Sequence, residues 1–290
     1  MSNKINNDFK SYATMNHQKI TDTVVFSESS TGSNLACLAL EEGLYFVDAG
    51  MNTTRASEFR KEMEEKFSMN TLGLFVTHAH IDHFLGMQAF SDVEIIAAKE
   101  SIPRFERFTN VVFTEEIIEN MSKIFPTIKK DIEEAKISMP TIFVDEKQEF
   151  GKDKDILFKV LGGHSSCSSE ILYQKDKVLF TGDLIQVDVY PYFGEPDTDL
   201  KKWVKALLDW ESKEEYKFLA GHGKVIDSKY ITSVREFFEE MLIVVKELKF
   251  TGVSKEEIVE HPKIPKGYWP NTAVRRPPYN FSISQLYDKV

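Results

Sequence analysis

Hydrophobic positions recur along this chain with two different periods, which predict an alternation of strands and helices. Short apolar runs bounded by turn residues predict strands at residues 24–26, 35–40, 44–47, 72–76, 93–98, 141–144, 156–161, 170–173, 178–181 and 217–220. Apolar residues spaced three and four apart predict helices at 53–67, 101–136, 200–210 and 228–248. Ser254 followed by Glu257 is typical of a capping box that begins one more helix.

This order of elements predicts one large domain with three further segments. Residues 1–21 are polar and are expected to be a flexible lead-in, and residues 22–250 form the main domain. A helical insert at about 101–137 is either a cap over a pocket or a packing helix pair. Residues 251–290 form a C-terminal helix and a tail rich in proline and aromatic residues. These aromatics pack on the core, cover the pocket or form a homodimer contact; they are Tyr268, Trp269, Tyr279, Phe281 and Tyr287.

The densest chemistry lies directly after the strand predicted at 72–76. Residues 77–83 read Thr-His-Ala-His-Ile-Asp-His and so place three histidines and one aspartate within six residues. Imidazole and carboxylate groups at this density are the ligands of one or two zinc ions or other borderline divalent ions. A solvated polar loop is the weaker interpretation, because histidine is rare elsewhere in the chain.

Three further sites share one feature, since each follows a predicted strand. They are Gly163-His164, Thr181-Gly182-Asp183 and Gly221-His222-Gly223. Glycine lets the backbone turn sharply and lets a ligand approach closely. Five of the seven histidines fall in these motifs and in the first cluster. Each motif alone is weak evidence, but four at strand ends together predict a metal site.

In this order, the motifs resemble those of the metallo-β-lactamase superfamily over roughly residues 22–225. The resemblance implies an α+β fold, an αββα sandwich of two mixed β-sheets flanked by helices. Carried over residue by residue, it implies ligands for a first ion (His78, His80 and His164), ligands for a second ion (Asp82, His83 and His222) and a carboxylate that bridges them (Asp183). Asp48 matches a family aspartate that supports the first motif from behind.

The resemblance also implies a chemistry. Two divalent ions about 3.5–4 Å apart share a hydroxide with a lowered pKa, and this hydroxide attacks an electrophilic carbon or phosphorus. Asp82 and His222 are the candidate catalytic residues, with Asp82 placed to move a proton to the leaving group. Zn²⁺ is the default ion for this ligand set, although iron and manganese accept the same ligands.

Within the superfamily, the bridging Asp183 argues against antibiotic hydrolysis, because the zinc β-lactamases typically carry Cys or Ser in that motif. The chain is closer to the glyoxalase II-like thioesterase and lactonase branches, which favours a small ester, thioester or lactone as substrate. Two alternatives stay open. One is a phosphodiesterase of the same superfamily, and the other is a mononuclear iron dioxygenase that acts on a thiol or persulfide. Aromatic residues at 189–194 either form a wall for an apolar acyl group or pack in the core.

Charge and composition limit the classes of binding partner and the cellular compartment that we expect. The 290 residues carry a net charge of −10, which argues against a protein held to nucleic acid or to an anionic membrane. The N-terminal residues contain no apolar signal region, and no apolar run is long enough to span a membrane. Two cysteines far apart in sequence favour a reducing compartment. We therefore expect a cytoplasmic enzyme with a small-molecule substrate.

Overall fold

The computed structural model describes residues 16–29, 32–110, 113–123, 128–137, 139–265 and 279–290. The chain divides into two compact units. Unit one contains residues 1–145 and 149–155, and unit two contains residues 146–148 and 156–290. The described strands form one seven-stranded and one five-stranded sheet.

The seven-stranded sheet of unit one follows the order of the chain. Its strands are β1 (Asn16–Lys19), β2 (Val24–Glu28), β3 (Leu35–Leu40), β4 (Gly43–Val47), β5 (Thr71–Phe75), β6 (Glu94–Ala98) and β7 (Ile142–Val144). The first four pair antiparallel, because short turns connect them. The last three join in parallel, because helical crossovers separate them.

Helix α1 (Thr53–Phe67) makes the crossover between β4 and β5. It begins at Asn52, whose side chain accepts a hydrogen bond from the backbone N–H of Arg55. The apolar face predicted from its spacing lies inward, with Ala56, Phe59 and Met63 buried.

Short helices fill the two remaining crossovers of unit one. Helix α2 (Ile81–Phe84) and a 3₁₀ helix (Leu85–Phe90) lie between β5 and β6. The insert before β7 contains a 3₁₀ turn and three α-helices: Lys99–Ser101, α3 (Ile102–Asn110), α4 (Glu115–Ser122) and α5 (Ile128–Glu134). Helix α4 buries none of its residues. Its apolar residue Ile117 is 39% exposed, so the apolar spacing that predicts a helix here does not mark a core face.

The second sheet lies mainly in unit two and has the order β12-β11-β10-β9-β8. Its strands are β8 (Lys147–Phe150), β9 (Ile156–Val160), β10 (Ser169–Tyr173), β11 (Val178–Gln186) and β12 (Lys217–His222). Strands β10 and β11, joined by a short turn, pair antiparallel. Strands β11 and β12 pair in parallel, because α6 (Leu200–Glu211) crosses between them.

Three more helices complete unit two, namely α7 (Ser228–Phe250), α8 (Lys255–Ile258) and α9 (Tyr279–Lys289). Helix α7 buries all the apolar residues predicted from its spacing: Ile231, Val234, Phe237, Phe238, Met241 and Val245. Ile283 and Leu286 of α9 are fully buried in the same core cluster. Helix α8 begins with the predicted capping box at Ser254 and Glu257.

The structure differs from the sequence predictions near both ends of the chain and at β8. Residues 16–19, within the predicted lead-in, form β1, which pairs with β2. Strand β8 and helix α9 were not predicted, because β8 is largely polar and exposed and α9 follows a stretch without clear periodicity. The tail residues Tyr268 and Trp269 lie outside the described residues.

None of the helices that the structure describes combines the length and the apolar character that crossing a bilayer requires.

The side chain of Arg60 ties α1 to the elements around it. Its guanidinium donates two hydrogen bonds to the carboxylate of Asp92, at 2.5 and 2.8 Å. It also donates to Ala89 O at 2.7 Å, to Glu64 Oε1 at 3.0 Å and to Thr71 Oγ1 at 3.2 Å. The hydrogen bond with Arg60 holds the pKa of Asp92 below its ordinary value. Arg60 therefore connects α1, the start of β5 and the turn before β6.

We predict that Arg60→Met lowers the free energy of unfolding by about 1–2 kcal/mol at neutral pH, because it removes charge-assisted hydrogen bonds. A carboxyl group with a lowered folded pKa contributes stability above its ordinary pKa and loses it as the pH falls through the folded value. The variant is therefore expected to lose less stability on acidification than the wild type. Urea unfolding at neutral pH and at several acidic pH values measures both effects.

The matched control is Lys61→Met on the next residue of α1, whose side chain is 76% exposed and lies 3.8 Å from Glu65. Its expected change is within about 0.5 kcal/mol. Equal effects of the two substitutions would contradict the structural role given to Arg60.

Candidate metal centre

The first group of predicted ligands lies in unit one, directly after β5. His78 and His80 are in the loop that follows the strand, and Asp82 and His83 are in α2. His78 and His83 are buried, whereas His80 and Asp82 are half-buried. The abrupt change from a buried strand to a short helix therefore brings all four side chains to the carboxyl end of the parallel strands, where open sheets usually carry their sites.

Asp48 supports this group from behind, as the resemblance implies. Its Oδ1 accepts a hydrogen bond from the backbone N–H of Thr77 at 2.8 Å, and its Oδ2 accepts one from Thr77 Oγ1 at 2.8 Å. His83 Nδ1 lies 2.7 Å from the same Oδ2. The carboxylate therefore favours the tautomer that carries its proton on Nδ1, which leaves the lone pair of Nε2 for a metal ion.

Thr77 sets the tautomer of His78 in a similar way. Its hydroxyl donates its one proton to Asp48, so it accepts from His78 Nδ1, which lies 3.1 Å away. His78 Nε2 is then the nitrogen with a lone pair, and it lies 2.9 Å from His80 Nδ1. Two ring nitrogens at this separation fit a position at which both bind one ion.

The second group of predicted ligands lies in unit two. His164 follows β9 in a turn that begins at Gly162 and Gly163, both with positive φ angles. Asp183 was expected after the strand ending at residue 181, but β11 continues to residue 186 and contains it. His222 was expected two residues beyond the strand predicted at 217–220, but β12 extends to His222 and ends there. The pairing of β11 with β12 shifts register on both sides of Gly182, and this irregularity re-aims the side chains there.

Asp183 presents one carboxylate oxygen to each histidine of unit two. Its Oδ1 lies 3.2 Å from His222 Nε2, and its Oδ2 lies 3.9 Å from His164 Nε2. All three side chains are at least nine-tenths buried. The side-chain amide of Gln186 donates a hydrogen bond to Oδ2, which fixes the rotation of the carboxylate.

This arrangement requires glycine at residue 221. A Cβ atom built there would lie 2.2 Å from Asp183 Oδ1 and 2.9 Å from the backbone carbon of Gly182. No heavy atoms approach so closely, and only one of the two neighbours is a side chain that can move. The motif glycine therefore leaves the space in which the carboxylate meets His222.

Sequence reasoning missed three residues that shape these groups: Thr77, Gln186 and Trp203. Thr77 adjoins the histidine cluster, so its position in the motif was the available signal. Gln186 contacts Asp183 only because β11 is irregular, which no periodicity in the sequence reveals. Trp203 lies on the buried face of α6. It is buried, but its ring also lies 5.4 Å from that of His164, and its Nε1–H donates to Leu184 O at 2.9 Å.

Histidine and aspartate side chains of the kind that hold a metal ion are therefore present in both units. The donors are imidazole nitrogens and carboxylate oxygens, the set that suits zinc and similar divalent ions. Two of the histidines have a ring nitrogen directed by a neighbouring oxygen, as ligands in metal sites usually do. By its chemistry, this donor set fits divalent metal.

Comparisons with known proteins agree on the fold. A family model described as the metallo-β-lactamase superfamily matches residues 34–222. No curated protein sequence matches the chain. Among solved structures, the stereoselective inverting sec-alkylsulfatase Pisa1 from Pseudomonas sp. is similar with a TM-score of 0.73 at 15% identity, over 95% of this chain and 50% of that one. The chain thus spans about half the length of the alkylsulfatase.

Two metallo-β-lactamase structures are also similar. The protein from Pontibacter korlensis has a TM-score of 0.59 at 17% identity, over 78% of this chain and 99% of that one. The protein from Hirschia baltica has a TM-score of 0.58 at 16% identity, over 77% and 97%. At these identities the likeness concerns the fold. Two mixed sheets with flanking helices match these neighbours, which confirms the predicted fold class.

We predict that Asp48→Asn weakens metal binding by about 10–100-fold, the usual cost of losing the carboxylate behind a ligating histidine. The amide has only one oxygen: with that oxygen at Oδ2 its NH2 group faces the backbone N–H of Thr77, and with it at Oδ1 the NH2 group faces Thr77 Oγ1 and His83 Nδ1. Competition of the folded protein with a chromogenic chelator for Zn²⁺ measures the affinity. Asp145→Asn, which alters an exposed pair with Lys99, is the control and should bind as the wild type does. A normal affinity in Asp48→Asn would disprove its supporting role.

We further predict that Gly221→Ala reduces metal affinity, because its methyl group displaces the carboxylate of Asp183. Gly252→Ala is the control, since its φ angle of 88° makes any added side chain strained, while no heavy atom lies within 4 Å of the added carbon. The control should cost about 1 kcal/mol of stability and leave the affinity unchanged. Thermal unfolding and Zn²⁺ titration of both variants separate strain from displacement; equal affinities would refute the displacement.

Proposed function

Because the chain belongs to the metallo-β-lactamase superfamily, we propose that it is a hydrolase with two divalent ions, Zn²⁺ in the first instance. His78, His80 and His164 would hold the first ion, and Asp82, His83 and His222 the second. Asp183 would bridge them. The substrate class proposed is a small ester, thioester or lactone.

The observation that carries this proposal is the divergence of the Asp183 carboxylate. One oxygen lies next to His222 and the other faces His164. In the proposed assignment these histidines belong to different ions, so a single carboxylate is already turned towards both.

When bound, the ions supply a hydroxide at neutral pH and polarise the oxygen of the substrate. The residues of the chain orient the metal ligands and protonate the leaving group. Asp48 and Thr77 fix the rings of His83 and His78, and Gln186 fixes Asp183. These contacts set the ligand directions before substrate arrives, which is the general condition for electrostatic stabilisation without reorganisation.

Proton transfer is assigned to Asp82. Asp82 lies in α2, next to the buried His83, and is itself half-buried. In an ester or thioester, it would carry a proton to the departing oxygen or sulfur atom. His222, the second candidate, lies against Asp183 and would act by holding that carboxylate and the second ion. No serine or cysteine is needed as a nucleophile.

Asp183 also supports the choice of substrate. An aspartate at this position of the motif is the pattern of the thioesterase, lactonase and phosphodiesterase branches, and a β-lactam is therefore not the proposed substrate. Phosphodiesters and sulfate esters are the competing hydrolytic substrates, and oxygen-dependent thiol chemistry on a single iron is the competing redox function.

The test is a substrate panel with the zinc-reconstituted protein. It contains para-nitrophenyl acetate, an acyl thioester, a γ-lactone, bis(para-nitrophenyl) phosphate, para-nitrophenyl sulfate and nitrocefin. We expect kcat/KM for one of the first three to exceed the others by at least about tenfold, the scale of one good pocket contact. Activity confined to the phosphate or sulfate ester would overturn the proposed substrate class. Oxygen consumption by an iron-loaded preparation without hydrolysis would overturn the reaction.

We predict that Asp183→Ala lowers the zinc content from about two ions per chain to about one and removes most of the hydrolytic activity. The second ion loses the carboxylate that links it to the first. Elemental analysis after dialysis gives the content, and circular dichroism verifies the fold. Asp209→Ala, an exposed residue of α6 in the same unit, is the control and should retain both ions. Unchanged content and turnover in Asp183→Ala would refute the two-ion mechanism.

A further inference from the structure

The aromatic segment 189–194 divides into core residues and one residue that faces the candidate site. Tyr190 packs against Phe237 at 5.5 Å, and its hydroxyl donates to Met241 Sδ at 3.2 Å. Phe193 is fully buried against Trp203. Tyr192, between them, is half-buried as Tyr190 is, but it is not among the residues packed against this core cluster. The core therefore accounts for Tyr190 and Phe193 but does not enclose Tyr192.

The ring of Tyr192 lies between a proposed metal ligand and the C-terminal helix. Its centroid is 6.0 Å from that of His164 on one side. On the other side it is stacked on Phe281 of α9, with centroids 6.0 Å apart and an interplanar angle of 12°. Phe281 is 41% exposed although it is a large apolar residue. The three rings form a row that leads from the candidate metal centre towards solvent.

Two features hold this row in place. A Cβ atom on Gly194 would lie 2.4 Å from Cζ and Oη of Tyr192, so the ring folds back over a residue that has no side chain. At the far end, Lys289 Nζ donates to Glu195 O at 2.7 Å and fastens α9 to the end of the segment. Ile283 and Leu286 anchor the same helix in the core of unit two. The exposed aromatic surface is thus supported by rigid elements.

We propose that Tyr192 and Phe281 form an aromatic wall that binds an apolar acyl chain and so selects medium-chain esters or thioesters over acetyl ones. This inference rests on the proposed function, because it takes the reacting carbon to lie at His164. Phe281 is 41% exposed and Tyr192 is half-buried, so the stacked pair leaves aromatic surface in contact with water. Covering that surface with methylene groups removes apolar surface from water on both partners.

The test compares para-nitrophenyl acetate, butanoate and octanoate with zinc-reconstituted wild type, Tyr192→Ala and Phe281→Ala. The wild type should show kcat/KM that rises with chain length, mainly through KM. In either alanine variant, the ratio of octanoate to acetate kcat/KM should fall at least about tenfold. Tyr192→Phe, which keeps the ring, should restore the ratio. Phe250→Ala, at a site on α7 that is 92% exposed, is the control and should leave the ratio unchanged.

Calorimetric titration with octanoate and with acetate gives a second measurement that needs no turnover. Octanoate should bind the wild type at least about tenfold more tightly than acetate, and Tyr192→Ala should lose this preference. If esters are hydrolysed but neither measurement depends on Tyr192 or Phe281, the wall is refuted and the hydrolase stands. If octanoate binding depends on Tyr192 while no ester or thioester is hydrolysed, the proposed function fails and the apolar site stands.

Discussion

The carboxylate of Asp48 is the interaction on which the metal-binding part of unit one depends. It stands just after β4 and joins the end of that strand to the loop after β5 through Thr77 and His83. Buried carboxylates are costly unless each oxygen is hydrogen-bonded, and this one has both oxygens satisfied. The hydrogen bonds that offset the cost of burial also orient the ligand rings. They set the rotation and tautomer of His83 and, through Thr77, of His78.

In unit two, a different feature orients the predicted metal ligands. There the parallel pairing of β11 with β12 is interrupted around Gly182, so that Asp183 leaves the regular alternation of the strand. Gly221 provides the space for its carboxylate, and Gln186 fixes the rotation. A regular strand would have sent the Asp183 side chain to a fixed face of the sheet. A local defect in the sheet is what allows one residue to face both His164 and His222.

The period of the apolar residues correctly predicted those elements that bury one continuous face. The inward face of α7 is confirmed residue by residue, because a long amphipathic helix buries one continuous stripe. The motif order located the histidines at strand ends and identified Asp48 as a support. What the sequence did not reveal depends on contacts between distant segments. Gln186 meets Asp183 through a register shift, and β1 is a polar edge strand that only pairing with β2 defines. Phe281 reaches Tyr192 across 88 residues of sequence in a tail without clear periodicity.

The most direct test of the central claim is a crystal structure of the zinc-reconstituted protein with anomalous diffraction data at the zinc edge. The account predicts two anomalous peaks about 3.5–4 Å apart, one beside each carboxylate oxygen of Asp183. It also predicts that His83 Nδ1 keeps its bond to Asp48 and that its Nε2 faces the second peak. A single peak, or two peaks that share no ligand at Asp183, would contradict the bridging role on which the proposed hydrolysis rests.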